Sequence, residues 1–283
     1  MCKSFYFTVC ALAIVSLLVA CTGEGNFEEA VTKNREPMTF TAVREPLSAP
    51  DKSTRIADIC SSASAYSSWT NGDKICVNVQ SFLTGSTFST ICTLNANGSI
   101  ANYSPQLYWQ NTGGYSVCAW YSNIGDNPTA ETIVDISDQS GGELPYVLRA
   151  EPMKWTYTGK GRDNVQLTFT HQLSKVMVRL LDAGGNGINP ENVSLWIRNC
   201  YTSCTIDKGV VVPIGKADSY IKMIPPDDAT GCYQANVIPD ASGTMRQSYA
   251  LEVKVGHKTT GIDLSSPVTF EKGKVYLFEV VVR

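Results

Sequence analysis

The chain is built from short runs in which apolar residues fall at every second position, and no stretch keeps a 3.6-residue period long enough for a capped helix. Residues 38–43, 74–79, 115–121, 165–171 and 193–197 alternate in this way. In the third run Tyr115, Val117, Ala119 and Tyr121 share one face of a strand. The runs are separated by Asn/Gly turns such as Asn71-Gly72-Asp73, Asn95 to Gly98 and Asn111 to Gly114. A period of two cannot sit as a helix, and strands recurring at roughly 8–12-residue intervals read as an all-β sandwich. The strongest break is Asp182-Ala183-Gly184-Gly185-Asn186-Gly187. It suggests two tandem β-sandwich domains, residues 37–182 and 183–283.

Charge narrows the function. With 23 Lys+Arg against 26 Asp+Glu the net charge is -3, which gives no cationic footprint for nucleic acid. Two histidines, His171 and His257, leave little for imidazole chemistry. At the start, Lys3 precedes an apolar run from Phe5 to Ala20. That run is shorter than the ~20 residues a membrane-spanning helix needs, but suits a signal peptide over residues 1–20. It ends in Leu18-Val19-Ala20-Cys21, which resembles a bacterial lipobox. Cys21 is therefore the expected lipidation site, with residues 21–36 as a tether. Multiple acyl chains, at ~0.8 kcal/mol per buried CH2, would hold such an anchor stably.

Beyond Cys2, Cys10 and Cys21 the chain carries Cys60, Cys76, Cys92, Cys118, Cys200, Cys204 and Cys232, an odd set that cannot pair completely within one chain. Cys76, Cys92 and Cys118 lie in apolar runs and read equally as small buried hydrophobes. Nucleophile elbows, zinc-protease, phosphate-loop and EF-hand motifs are absent from the sequence. The reading is of a non-enzymatic protein that calls for no cofactor and no metal. Among the aromatics, Tyr103 to Trp109 lies in a Pro-containing loop or edge. Tyr108 and Trp109 are thus the candidates for an exposed ligand-binding patch, which would make the chain a monomeric surface glycan binder as an alternative.

Several segments, taken in order, resemble the fimbrillin family, the pilin-like lipoproteins of Bacteroidales. After the lipobox come an early strand at residues 38–42 and a stretch with Trp69, Gly72, Asp73, Lys74, Ile75 and Val77. Asp138-Gln139-Ser140 follows, then Phe169, His171, Leu173, Ser174 and Lys175, and finally Gly273, Lys274, Tyr276, Phe278 and Val280. The resemblance implies transthyretin-like Greek-key sandwiches and a fimbrial subunit, or an accessory or tip adhesin, on the outer-membrane surface. It implies other fimbrial subunits as partners, a host or bacterial surface receptor or glycan, and membrane contact only through the lipid. In such pilins a trypsin-like protease cuts after an Arg beyond the first strand, and a strand of the next subunit fills the vacated groove. Arg44 and Arg55 are the candidate cut sites here. Arg55 is favoured, because Glu45-Pro46 should hinder cleavage after Arg44. The alternating C-terminal run, with Val275, Leu277, Val280 and Val282, is either a fixed strand or the donor.

Overall fold

The computed structural model describes residues 35–49, 68–124, 131–159, 164–226, 231–239, 244–245 and 248–282. The leader, Cys21, Cys60 and Arg55 lie outside the described residues. Among the described residues there is no helix. The strands are β1 (Thr39–Arg44), β2 (Lys74–Ser81), β3 (Thr87–Leu94), β4 (Ile100–Ser104), β5 (Gly113–Ser122), β6 (Thr132–Asp135), β7 (Val147–Tyr157), β8 (Asn164–His171), β9 (Ser174–Leu181) and β10 (Val193–Cys200). They continue with β11 (Ser203–Asp207), β12 (Val210–Ile214), β13 (Ser219–Lys222), β14 (Cys232–Val237), β15 (Thr244–Met245), β16 (Leu251–Val255), β17 (Lys258–Ile262), β18 (Val268–Thr269) and β19 (Val275–Val281).

Seven strands form one sheet in the order β1-β8-β7-β5-β2-β3-β4. The sheet rolls until its ends meet: Thr41 of β1 bridges Ser99, just ahead of β4. Closure of this kind removes the free edges that would otherwise pair with other chains. The inward rows are those the alternation marks. Ile75, Val77 and Val79 of β2, Tyr115, Val117 and Ala119 of β5, and Val165, Leu167 and Phe169 of β8 bury in one hydrophobic cluster.

A second cluster is enclosed by the sheets β13-β10-β16-β17, β12-β11-β6 and β14-β9-β19. Three strands from before the Asp182 break contribute to it, β7 only through its first residue, Val147. Val134 of β6, and Val176, Val178 and Leu180 of β9, pack in the second cluster. The chain thus visits the second cluster at β6, returns to the first through β7 and β8, and passes to the second again between Phe169 and Leu173. The break itself is a turn among the second cluster's strands. Asp182 closes it, its carboxylate accepting from the backbone N–H of Gly184 and of Asn186, each at 2.8 Å. A Gly/Asn-rich run marks a turn, but it says nothing about which core the preceding strand joins. β9 is buried on both faces, because Met177 on its other side meets Leu47, Cys232 and Val275 in a third, small cluster.

Candidate functional site

The most unusual piece of the seven-stranded sheet is its terminal strand. β1 runs parallel to β8 through six residue pairs, from Thr39 opposite Asn164 to Arg44 opposite Phe169. β7, on the other side of β8, pairs with it only at Leu148–His171 and Arg149–Thr170. β8 thus depends on β1 for most of its backbone pairing. The alternation in β1 drives its inward residues into the cluster: Met38, just ahead of it, is 0% exposed, Phe40 3% and Ala42 2%. Thr39 and Thr41 sit at half-buried positions between them.

The far edge of this segment is held by loops and side chains. The N–H of Met38 donates to Leu107 O at 2.8 Å, that of Ala42 to Gly98 O at 2.9 Å, and that of Trp109 to Glu36 O at 3.0 Å. Gln106 Nε2 donates to Met38 O at 3.0 Å. The Trp69 indole N–H donates to Ala42 O at 3.1 Å, while its ring stands edge-on to Phe169 (5.2 Å) and Tyr121 (5.5 Å). Gly98 makes this close approach feasible: its φ is +80°, and an added Cβ would run into the Ala42 carbonyl oxygen. In sequence Gly98 reads only as a turn residue; its proximity to β1 carries no local signal.

Arg44 closes the strand. Its guanidinium lies 5.6 Å from the Trp69 ring centroid and 5.3 Å from that of Tyr146, and donates to Ser68 O at 3.0 Å. Burial pulls the Arg44 pKa down, against the opposing pull of Tyr146, Tyr121 and Asp73. Asp73 in turn accepts from Thr70 N at 2.8 Å and from the Tyr121 hydroxyl at 3.2 Å. Burial, then Asp73, pushes the Tyr121 hydroxyl up to about 12. The Trp69-to-Val77 segment singled out in the sequence is therefore a clamp on the end of β1. As a cut site Arg44 is enclosed, and the next N–H, that of Glu45, is tied to Phe169 O at 2.9 Å.

The chain leaving β1 reaches the other sheet. Ser48 N–H donates to Gly273 O at 3.0 Å and Val275 N–H to Ser48 O at 2.9 Å. Leu47, 7% exposed, packs on Met177, Cys232 and Val275. There β19 begins, parallel to β9 over seven pairs from Val275–Lys175 to Val281–Leu181. Val275 and Val280 are buried, and Leu277 and Val282 half-buried. β1 and β19 hold corresponding places, each a terminal strand lying parallel to one half of the β8–β9 track.

The remaining motif residues are structural. Phe169, His171, Gln172, Leu173, Ser174 and Lys175 are all buried where the track passes between sheets. His171 stands edge-on to Tyr146 at 5.9 Å. The Tyr276 hydroxyl donates to Thr269 O at 2.8 Å and accepts from Glu271 N at 2.9 Å, pinning the turn before β19.

The aromatic patch expected at Tyr108 and Trp109 does not form. Trp109 is 2% exposed, stacked on Tyr157 at 5.0 Å and edge-on to Tyr115 at 4.9 Å. Tyr108 is half-buried and bridges Pro37 through its backbone. The segment following β4 is recruited to hold the chain ahead of β1, and its large rings complete the core there instead of facing water. The described cysteines, Cys76, Cys92, Cys118, Cys200, Cys204 and Cys232, are free thiols, and all but the half-buried Cys118 are buried.

The arrangement presents no reacting group at β1. What it shows is a strand seated along most of β8 and held on its far side by loops. A model of the fimbrillin-like family matches residues 61–283. Among curated proteins, none matches the chain. Three solved structures of Bacteroides proteins assigned provisionally to cell adhesion share the fold. The one from Bacteroides ovatus superposes with a TM-score of 0.63 at 16% identity, covering 87% of this chain and 92% of that one. The one from Bacteroides uniformis gives 0.58 at 14% identity, covering 88% and 93%. The one from Bacteroides thetaiotaomicron gives 0.52 at 17%, covering 87% and 92%. A match over most of the chain, together with an all-β sandwich fold, places this chain in the fimbrillin-like family.

Proposed function

We propose that this chain is a surface-exposed, lipid-anchored subunit of a fimbria-like assembly, joined to its neighbours by strand addition and serving adhesion. In this reading Cys21 carries the lipid that holds the precursor at the outer membrane. Cleavage after Arg55 releases the leading segment, including β1, and a terminal strand from the next subunit takes its place. The observation that carries the reading is the dependence of β8 on β1, six pairs against two. Loss of β1 bares the N–H and C=O groups of β8 and an apolar slot where Met38, Phe40 and Ala42 sat. Pairing with an incoming strand satisfies both at once.

Two features favour Arg55 over Arg44. Arg44 is sandwiched between rings, and the peptide bond after it is hydrogen-bonded. A cut after Arg55 would also free residues 45–49, whose Ser48 and Leu47 seal the start of β19. It would therefore also bare the backbone edge of β19 around Val275 and one side of the small cluster at Met177, Cys232 and Val275. β19 is the donor in this reading: it ends its sheet and already lies parallel to β9 as an incoming strand would lie parallel to β8. Mass spectrometry of filaments sheared from the cell surface tests this. The expected result is this chain with Ile56 as its first residue. A chain found only in the membrane fraction, still beginning at Cys21, would contradict polymerisation.

A further inference from the structure

We propose that a trough on the outer face of the β13-β10-β16-β17 sheet, beside the Asp138-Gln139-Ser140 turn, is a binding subsite for a neutral saccharide. Outward residues of β10 and β13 alternate with buried ones, and the register sets Trp196 opposite Lys222 and Arg198 opposite Tyr220. On the far side of β13 the segment 137–139 adds a third row, with Asp138 beside Lys222. Between them lies a depression of about 500 Å³, within the range of ligand sites. Trp196 and Tyr220 give it aromatic surface, Asp138 and Lys222 a charged pair, and Thr202 and Ser219 hydroxyls.

These groups are held in place. Asp138 Oδ1 accepts from Ser140 N at 2.9 Å and Ser140 Oγ at 2.6 Å, while Oδ2 lies 4.0 Å from Lys222 Nζ. The neighbouring Gln139 is 4% exposed. Its amide donates to Asn236 O at 2.7 Å and accepts from Asn236 N at 2.9 Å, so the turn is bolted to β14. Tyr220 is 50% exposed, yet the Arg198 guanidinium sits 5.2 Å over its ring. That guanidinium is fixed in turn by Tyr249 at 5.3 Å and by Glu252 at 3.1 Å. An exposed aromatic held by its cross-strand neighbour is suited to stacking through its remaining face, because little side-chain freedom remains to be lost on binding.

The chemistry selects a sugar. Opposite charges in close proximity favour neither an anion nor a cation, but offer both donor and acceptor to hydroxyls. The aromatic faces match the apolar C–H face of a pyranose. At the Lys222 end of β13 the backbone is already used on both edges, by β10 on one and by Ser137 O and Gln139 N–H on the other, which leaves side chains as the binding groups there. The inference rests on the adhesive side of the proposed function for its purpose and not on strand exchange, so the two fail separately.

The test is native affinity electrophoresis of the soluble, unacylated full-length chain in gels holding mannan, mixed-linkage β-glucan, arabinoxylan or mucin. Retardation in at least one gel is expected. Tyr220→Ala and Trp196→Phe should each weaken it about tenfold. Asp138→Asn should weaken it as well, whereas Leu83→Ala, remote in the turn after β2, should not. Tyr220→Ala alters an exposed ring, so its thermal melting should match that of the parent. Unretarded migration in all four gels overturns the proposal, as does retardation that survives both Tyr220→Ala and Trp196→Phe.

Discussion

Replacing Phe40 by Ala isolates the claim that β1 is a separable strand. Phe40 is 3% exposed, with its ring 6.3 Å from that of Tyr103 in the first cluster. Truncating a buried Phe costs about 3–5 kcal/mol. If β1 can leave while the rest of the sheet stays closed, that cost falls mainly on the β1-seated state. At 1.4 kcal/mol per tenfold, the open population rises about 100- to 4,000-fold. Amide hydrogen exchange read by mass spectrometry checks this, comparing peptides over β1 and β8 with one over β5. Protection should collapse in β1 and along β8, whose other side pairs only at Leu148–His171 and Arg149–Thr170. The β5 peptide, paired on both sides by β2 and β7, should lose far less. Equal loss in all three peptides would show that β1 opens only with the whole fold and is not a separable strand.

Gly98→Ala places a Cβ against the Ala42 carbonyl at φ +80° and should cost more than about 1 kcal/mol, seen as a lower melting temperature and faster exchange at Ala42. Gln139→Ala leaves the buried N–H and C=O of Asn236 without their side-chain partner, and should destabilise by about 1–3 kcal/mol in urea titration. Stability should fall in alkali. Burial raises Cys76, Cys92 and Cys200 to about 12 and Cys204 to about 11, from an ordinary 9. The unfolded chain therefore ionises these thiols first. Their contribution is complete below pH 9 and is lost as pH climbs towards 12, by up to about 1.4 kcal/mol per pH unit for each thiol. Melting temperatures between pH 7 and 8 should agree closely, and those above 9 should decline steadily; a flat profile up to 11 would contradict the buried, neutral thiols.

Much of this architecture is legible in the sequence, because burial on one face of a strand imposes a period of two. The segments at 38–43, 74–79 and 165–171 each fall within or overlap a strand, and Phe40, Val77 and Leu167 point inward as their spacing requires. What is not legible is pairing between distant segments. Nothing near residue 39 announces a parallel partner at residue 164. Likewise β6 shows no sign that it leaves the first sheet to pair with β11. Trp109 illustrates the same limit: a Pro-containing aromatic segment is locally indistinguishable from an exposed loop until the chain ahead of β1 is laid across it. The saccharide trough is hidden for a related reason. Trp196, Tyr220 and Asp138 lie on three separate segments and meet only through the register of β10 with β13 and the bridge at Lys222.

Light scattering after size-exclusion chromatography, on the unacylated chain before and after limited trypsin treatment, tests strand exchange most directly. The chain should be a monomer before cleavage and form a ladder of oligomers once the segment through Arg55 is removed, suppressed by an added peptide spanning Met38 to Arg44. A cleaved chain that stays monomeric and folded, with the peptide failing to bind, would contradict strand exchange.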